Sequence, residues 1–326
     1  MSDVQPSRPR FTPGVLLLHA GLFLGAFLTT TLAGVQWLNR DPLDPSNFAS
    51  GLPYSLLLMA VLGTHEMGHY IAARRHRVEA TLPYFLPFPS LDIFAALNPF
   101  GTVGAVIRLR SEIPSRRALF DIGAAGPLAG FALSAGILLW GLATLPPVEY
   151  LYEIHPEYRG MDSIPLAGWV FGRSLFYQLA EGAAAPGAFL PPMNEIYHYP
   201  MLCVGWFGML VTSINLIPIG QLDGGHISYA MFGVRYHIIA QSALIALVIL
   251  GLAGLLPVAG IAFDYGYAGW LFWAFLLIAF LRVPRLRRPP VADDTPLGTG
   301  RRVFGWVAAA VFVGSFSLTP FSFVIP

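Results

Sequence analysis

The sequence is poor in charge. Of 326 residues only 11% are Asp, Glu, Lys or Arg, where soluble domains carry about 25%. A water-soluble globule of this length needs far more charged surface, which excludes a soluble enzyme as the leading reading. Lysine is absent altogether; all nineteen basic residues are Arg, and the formal net charge is +1. No basic field is therefore available to attract nucleic acid. A single cysteine, Cys203, excludes an internal disulfide framework and any Cys-based metal site. Lying in an apolar run, it reads as a buried, inert thiol. What the chain has in abundance is apolar side chains, at 55% with a mean hydropathy of +0.62. That excludes a disordered chain.

A transmembrane helix needs about 20 mostly apolar residues. Segments 12–38, 52–73, 118–145, 200–219, 237–257, 266–281 and 303–324 qualify as candidates. The first follows Arg8 and Arg10, but its apolar stretch from Phe11 to Leu38 far exceeds a signal-peptide core, so it reads as a retained span. The Arg clusters at Arg74/Arg75/Arg77, Arg108/Arg110/Arg116/Arg117, Arg235, Arg282/Arg285/Arg287/Arg288 and Arg301/Arg302 can all face the cytoplasm if the N-terminus does. Loop 146–199, with Glu149, Glu153, Glu157, Asp162, Glu181 and Glu195 against Arg159 and Arg173, then faces outward. Seven alternating spans satisfy every cluster with one orientation.

Two regions are neither spans nor simple loops. Residues 80–110 are apolar, yet Pro83, Pro87, Pro89 and Pro99 forbid a regular helix. Their end, Thr102 to Arg110, puts Val103, Ala105, Ile107 and Leu109 on one side of a strand by period two. Residues 163–180 suggest a short amphipathic helix on the outer surface. Segment 282–302 reads as a basic, Pro-rich linker.

The chemistry concentrates in His65-Glu66-Met67-Gly68-His69, inside the second candidate span. Four residues advance a helix by about 400°, so His65 and His69 share one face a turn apart. Two imidazoles so placed can bind one zinc ion, with Glu66 beside them to take a proton from activated water. Ionisable residues inside a span are costly and usually functional. A third ligand is needed, and the segment Asn215-Leu216-Ile217-Pro218-Ile219-Gly220-Gln221-Leu222-Asp223-Gly224-Gly225-His226 offers Asp223. Both spans run from outside to inside and place their polar residues near the inner end, so the three side chains can meet at one depth. The alternative for Asp223 is a cap on the following helix. His226 is either a partner of Asp223 or a polar helix-terminal residue. His19, His76, His155, His198 and His237 carry no assignable role, and Asp121 suits the inner N-terminus of the third span.

With HEMGH on one span and N-x-x-P-x-x-x-L-D-G on a later one, the chain resembles the site-2 protease family of intramembrane zinc metalloproteases over about residues 50–235. The intervening Phe120-Asp121-Ile122-Gly123-Ala124-Ala125-Gly126-Pro127-Leu128-Ala129-Gly130 is similar to the small-residue helix of that family. From the residues themselves, Gly126 and Gly130 form a G-x-x-x-G close-packing face. The apolar runs give an all-α polytopic membrane protein of six to seven transmembrane helices, and the resemblance adds a small re-entrant β-hairpin within 80–110. It further implies that His65, His69 and Asp223 bind one zinc ion and that Glu66 is the general base. Asn215 would contact the substrate or the oxyanion, for which a neutral amide donor is suited; a helix–helix hydrogen bond in lipid is the other reading. An exposed strand edge of the hairpin could capture an unwound substrate, or the hairpin could be a plug that seals the site. Loop 146–199 is too short for an inserted PDZ-like domain.

The expectation is one integral-membrane metalloprotease domain over 1–326, with core 50–235, outer loop 146–199 and additional helices over 237–326. Its partners would be the lipid bilayer and a transmembrane protein substrate, with no nucleic acid. It would sit in a prokaryotic inner membrane, N-terminus and active site towards the cytoplasm. Competing readings are an ion or metal transporter using the same His/Glu/Asp set, a non-catalytic pseudoprotease, and a prenyl-protein endopeptidase. No repeated halves support the first, the complete ligand and base set opposes the second, and Asp-Gly in place of a Glu-type ligand opposes the third.

Overall fold

The computed structural model describes residues 12–90, 98–182, 184, 186–263, 265–282 and 291–324. Arg8, Arg10, Arg285, Arg287 and Arg288, together with 91–97 of the apolar stretch, lie outside the described residues.

Helices dominate because long apolar runs satisfy their backbone internally. Helix α1 (Pro13–Gln36) opens on a proline at its first turn, where the missing N–H costs nothing. It is followed by α2 (Phe48–Arg75) and α3 (Arg116–Ala143). The latter is capped by Ser115, whose hydroxyl accepts from the Ala118 amide. Short helices α4 (Glu149–Ile154) and α5 (Leu175–Glu181) lie in loop 146–199. Then come α6 (Pro200–Asn215), α7 (Asp223–Phe232), α8 (Tyr236–Ala253), α9 (Gly269–Arg282) and α10 (Thr299–Ser315).

Four described stretches are long and apolar enough to cross a membrane: Pro13–Gln36, Pro45–Arg75, Arg116–Ala143 and Asp223–Ala259. Pro200–Asn215 and Gly269–Ala279 are shorter apolar helices. Large apolar side chains stand outward on the peripheral helices, among them Leu17 and Leu24 on α1, Ile238 and Ile245 on α8, and Phe272 and Phe275 on α9. Such an outward apolar surface suits lipid rather than water.

The core is built around α2, α3 and α6. Tyr54, Leu58, Leu62, Cys203 and Val204 pack against Ala26 and Ala33 of α1. Leu138, Leu142, Leu202, Trp206 and Met209 carry loop residues Phe171, Tyr177 and Ile196. Cys203 is a buried free thiol, as expected.

The molecule has two distinct ends. At one, Arg301 of α10 grips Asp121 of α3 through Nε and Nη2, both at 2.8 Å, while His76 just past α2 reaches the same carboxylate at 2.8 Å. The Arg116 Nε donates there to Ala230 O of α7 at 2.8 Å. At the other end, loop 146–199 meets the α1–α2 connection, and the Gly266 amide before α9 donates to Thr319 Oγ1 at 2.9 Å.

Among the described residues, two antiparallel pairs complete the fold. Strand β1 (Tyr84–Pro87) pairs with β2 (Thr102–Val106) in the register Tyr84↔Val106, Phe85↔Ala105 and Leu86↔Gly104. The 80–110 region thus contains a hairpin, although its second strand stops at Val106 rather than running to Arg110. Helix α1 clasps it: His19 Nδ1 lies 3.0 Å from Pro83 O, and its ring stacks on Tyr84.

Strand β3 (Gly168–Phe171) pairs with β4 (Phe321–Val324), and this corrects two expectations. Residues 163–180 do not form one amphipathic helix; Gly168, at φ +74°, starts a strand instead. Likewise the helix in 303–324 ends at Ser315. Pro320 cannot continue it, and the alternating Phe321-Ser322-Phe323-Val324 supplies a partner for β3.

Candidate metal centre

His65 and His69 sit in the C-terminal half of α2, about 9–15 Å of helix before Arg75. Both are buried, at 5% and 6% exposure, as is Glu66 at 8%. Asp223 arrives from a separate element. Helix α6 ends at Asn215, and a turn through Pro218 and Gly220 leads to α7. That turn is pinned by the Gly220 amide donating to Tyr236 Oη at 2.7 Å. Asp223 is the first residue of α7, whose cap position is Leu222 with no side-chain cap. Its carboxylate is not used as a cap; it points at the two imidazoles.

The three donor atoms form a small triangle. His65 Nε2 and His69 Nε2 are 3.1 Å apart, and Asp223 Oδ2 lies 3.4 Å from the first and 3.3 Å from the second. A tetrahedral zinc ion with bonds of about 2.0–2.1 Å places its ligands about 3.3–3.4 Å apart. The triangle therefore has the size of one face of such a tetrahedron. Direct hydrogen bonding explains it less well. His69 Nδ1 lies 2.7 Å from Ile122 O, an acceptor, so that nitrogen carries a proton and a neutral ring turns its Nε2 lone pair to the centre. Charged hydrogen bonds to carboxylate run at about 2.7–2.9 Å, shorter than either contact to Asp223. Two imidazoles and a carboxylate converging in this way can hold a metal ion, and the N, N, O set leaves a fourth position open.

Helix α3 makes room for this centre. A Cβ at Gly126 would stand 2.1 Å from His69 Nε2, and one at Gly130 would stand 3.1 Å from His65 Nδ1. The G-x-x-x-G face, read from sequence as a packing device, is a seat for the two imidazole rings.

The remaining residues of the expected site fall nearby. Asn215, the last residue of α6, puts Nδ2 3.4 Å from His65 Nε2. The Ile107 backbone amide, just past β2, faces the Glu66 carboxyl. His226 rests over Gly123 of α3. Sequence reasoning missed a second group of donors, His155, Glu195 and His198, because nothing in their local spacing marks them.

Comparison with known proteins places these observations in a family. The family model described as Peptidase family M50 matches residues 53–258. "Probable zinc metalloprotease EGY2, chloroplastic" of Arabidopsis thaliana is 31% identical over 293 residues, covering 86% of this chain and 46% of the relative. "Probable zinc metalloprotease EGY1, chloroplastic" of the same plant is 29% identical over 264 residues, covering 81% and 42%. "Probable zinc metallopeptidase EGY3, chloroplastic", again from that plant, is 29% identical over 233 residues, covering 68% and 37%. The chain spans less than half the length of each of these relatives.

Proposed function

Since the chain belongs to peptidase family M50, the site-2 proteases, we propose that it is a zinc-dependent intramembrane endopeptidase that cuts transmembrane segments of membrane proteins near the cytoplasmic side. The observation that carries this is the donor triangle of His65, His69 and Asp223. In this reading those three residues hold the ion. Bound there, zinc would supply Lewis acidity and lower the pKa of water towards about 7.

Glu66, next to His65 on the same turn, takes the proton from the attacking water and hands it to the leaving amide nitrogen. The Asn215 amide donates to the carbonyl oxygen as negative charge develops on it. A substrate helix keeps its scissile amides hydrogen-bonded internally, so it must unwind before it can be cut. Strand β2 ends beside Glu66 and has Val103 and Val106 exposed; its edge receives the unwound stretch by strand addition. The seat on α3 keeps both imidazoles from rotating away, so the ligands are in place before substrate arrives.

We also propose seven passes through the bilayer, made by α1, α2, α3, α6, α8, α9 and α10. The contacts at the two ends support this. Helix α10 starts beside Asp121 at the arginine-rich end, and the chain following it reaches Gly266 and β3 at the other. The positive-inside rule puts the arginine-rich end in the cytoplasm, with loop 146–199 outside. The whole chain is read as one membrane metalloprotease domain.

The test is cleavage of a reporter transmembrane segment by the full chain in proteoliposomes. Wild type should cut, and Glu66→Gln should not, while zinc content and melting temperature stay at wild-type values. Undiminished cleavage by Glu66→Gln removes the general-base assignment. A transporter using the same cluster would carry zinc across the vesicle wall, a flux the same vesicles report.

A further inference from the structure

Away from the first triangle, where loop 146–199 meets the α1–α2 connection, a second set of metal-type donors converges. We propose that His155, His198 and Glu195 form a second metal site, for zinc or a divalent ion of similar ligand preference, which ties the outer loop to the membrane helices. His155 Nε2 and His198 Nε2 are 3.0 Å apart, and Glu195 Oε2 lies 3.2 Å from His198 Nε2 and 3.7 Å from His155 Nε2. These separations bracket the ligand spacing of about 3.3–3.4 Å expected around tetrahedral zinc.

The second nitrogen of each imidazole is already committed. His198 Nδ1 donates to Trp37 O at the end of α1, and His155 Nδ1 donates to Glu157 Oε1 at 2.8 Å. Each ring is thereby oriented with Nε2 turned inward, the arrangement in which a neutral imidazole offers its lone pair to a cation. Backbone carbonyls and carboxylates commonly orient metal-binding histidines in this way.

Glu195 supplies an independent sign. It is 2% exposed, and its Oε2 is buried without any hydrogen bond, aimed at the two imidazoles. The other oxygen is satisfied, accepting from Tyr158 Oη at 3.0 Å and Asn194 Nδ2 at 2.7 Å. Burial and the adjacent Glu195 push the Tyr158 phenol up to about 12, so it remains a donor. Beside neutral imidazoles, a buried carboxylate oxygen without a hydrogen bond is costly unless a cation lies between them.

Asn39 completes the surround. It adopts φ +54°, and its amide lies 3.1 Å from His155 Nε2. Its oxygen and nitrogen exchange by a simple flip, which would turn an oxygen ligand inward. The ion would join positions separated by 43 residues in the chain and, through Trp37, fasten both to α1. It would thus act as a clip that closes a long loop. The site is independent of the proposed catalytic centre.

The test counts metal on the full chain in detergent, stripped with chelator, reloaded with zinc alone and measured by elemental mass spectrometry. Wild type should carry two ions per chain. His65→Ala/His69→Ala should keep one, and His155→Ala/His198→Ala should also keep one. In the His65→Ala/His69→Ala background, Glu195→Gln should weaken zinc binding at least about tenfold. Chelator should also speed limited proteolysis within 146–199. One ion on wild type with none on His65→Ala/His69→Ala overturns the proposal and leaves the catalytic centre standing. So does proteolysis of the loop that is indifferent to zinc, the result expected if a proton rather than a metal bridges the imidazoles. Should His155→Ala/His198→Ala fail to fold, the count on His65→Ala/His69→Ala still decides.

Discussion

Replacing Gly126 by alanine tests the idea that α3 holds the imidazoles in place. The added Cβ would stand 2.1, 2.4 and 2.5 Å from His69 Nε2, Cδ2 and Cε1, where non-bonded atoms settle at about 3.5 Å or more. The ring must therefore retreat by at least about 1 Å. Metal sites tolerate ligand displacements of about 0.2 Å, so His69 would leave the triangle and lose its bond to Ile122 O. A misplacement of about 1 Å costs on the order of 100-fold in rate, about 2.7 kcal/mol of transition-state stabilisation. Folding should survive, because alanine favours a helix by about 1 kcal/mol over glycine and the clash is with a side chain.

Gly130→Ala is the graded comparison. Its Cβ would stand 3.1 Å from His65 Nδ1, a gap closed by a shift of a few tenths of an ångström; we expect about tenfold loss or less. At Gly136 nothing lies within 4 Å, so Gly136→Ala should match wild type. Zinc per chain, reporter cleavage and melting temperature are measured together. Equal zinc and cleavage for Gly126→Ala and wild type would refute the seat. So would equal damage from Gly136→Ala.

Further outcomes follow from the same geometry. Asp223→Asn removes the anionic ligand and should lower zinc retention by at least tenfold, read as metal content after dialysis. Asn215→Ala should cut kcat by about 100-fold or more with zinc content unchanged, the usual loss for one oxyanion donor; a drop in zinc instead would make Asn215 a structural neighbour of His65. Arg301→Ala breaks a half-exposed fork to Asp121 and should lower stability by about 1 kcal/mol, measured by thermal unfolding, with cleavage intact.

Much of the site could be read from residue order because its logic is helical. The four-residue step from His65 to His69 is a property of any α-helix, and α2 keeps it. Asp223 needed one more inference, that two spans running the same way bring their inner ends to one depth. The break after Asn215 and the fresh start of α7 are what let Asp223 turn its carboxylate inward. The roles of Gly126 and Gly130 were visible only as small residues, since their partners are imidazoles on another helix.

Local pattern determined which segments are apolar helices, where prolines forbid them, and which turn carries the histidine pair, because periodicity and backbone sterics act over a few neighbours. Tertiary structure alone decided that 168–171 and 321–324 become strands, since neither has a pairing partner until the chain folds back across the molecule. It alone also gathered His155, Glu195 and His198. Their meeting depends on how a loop closes over two helix ends, and no short-range preference encodes that closure.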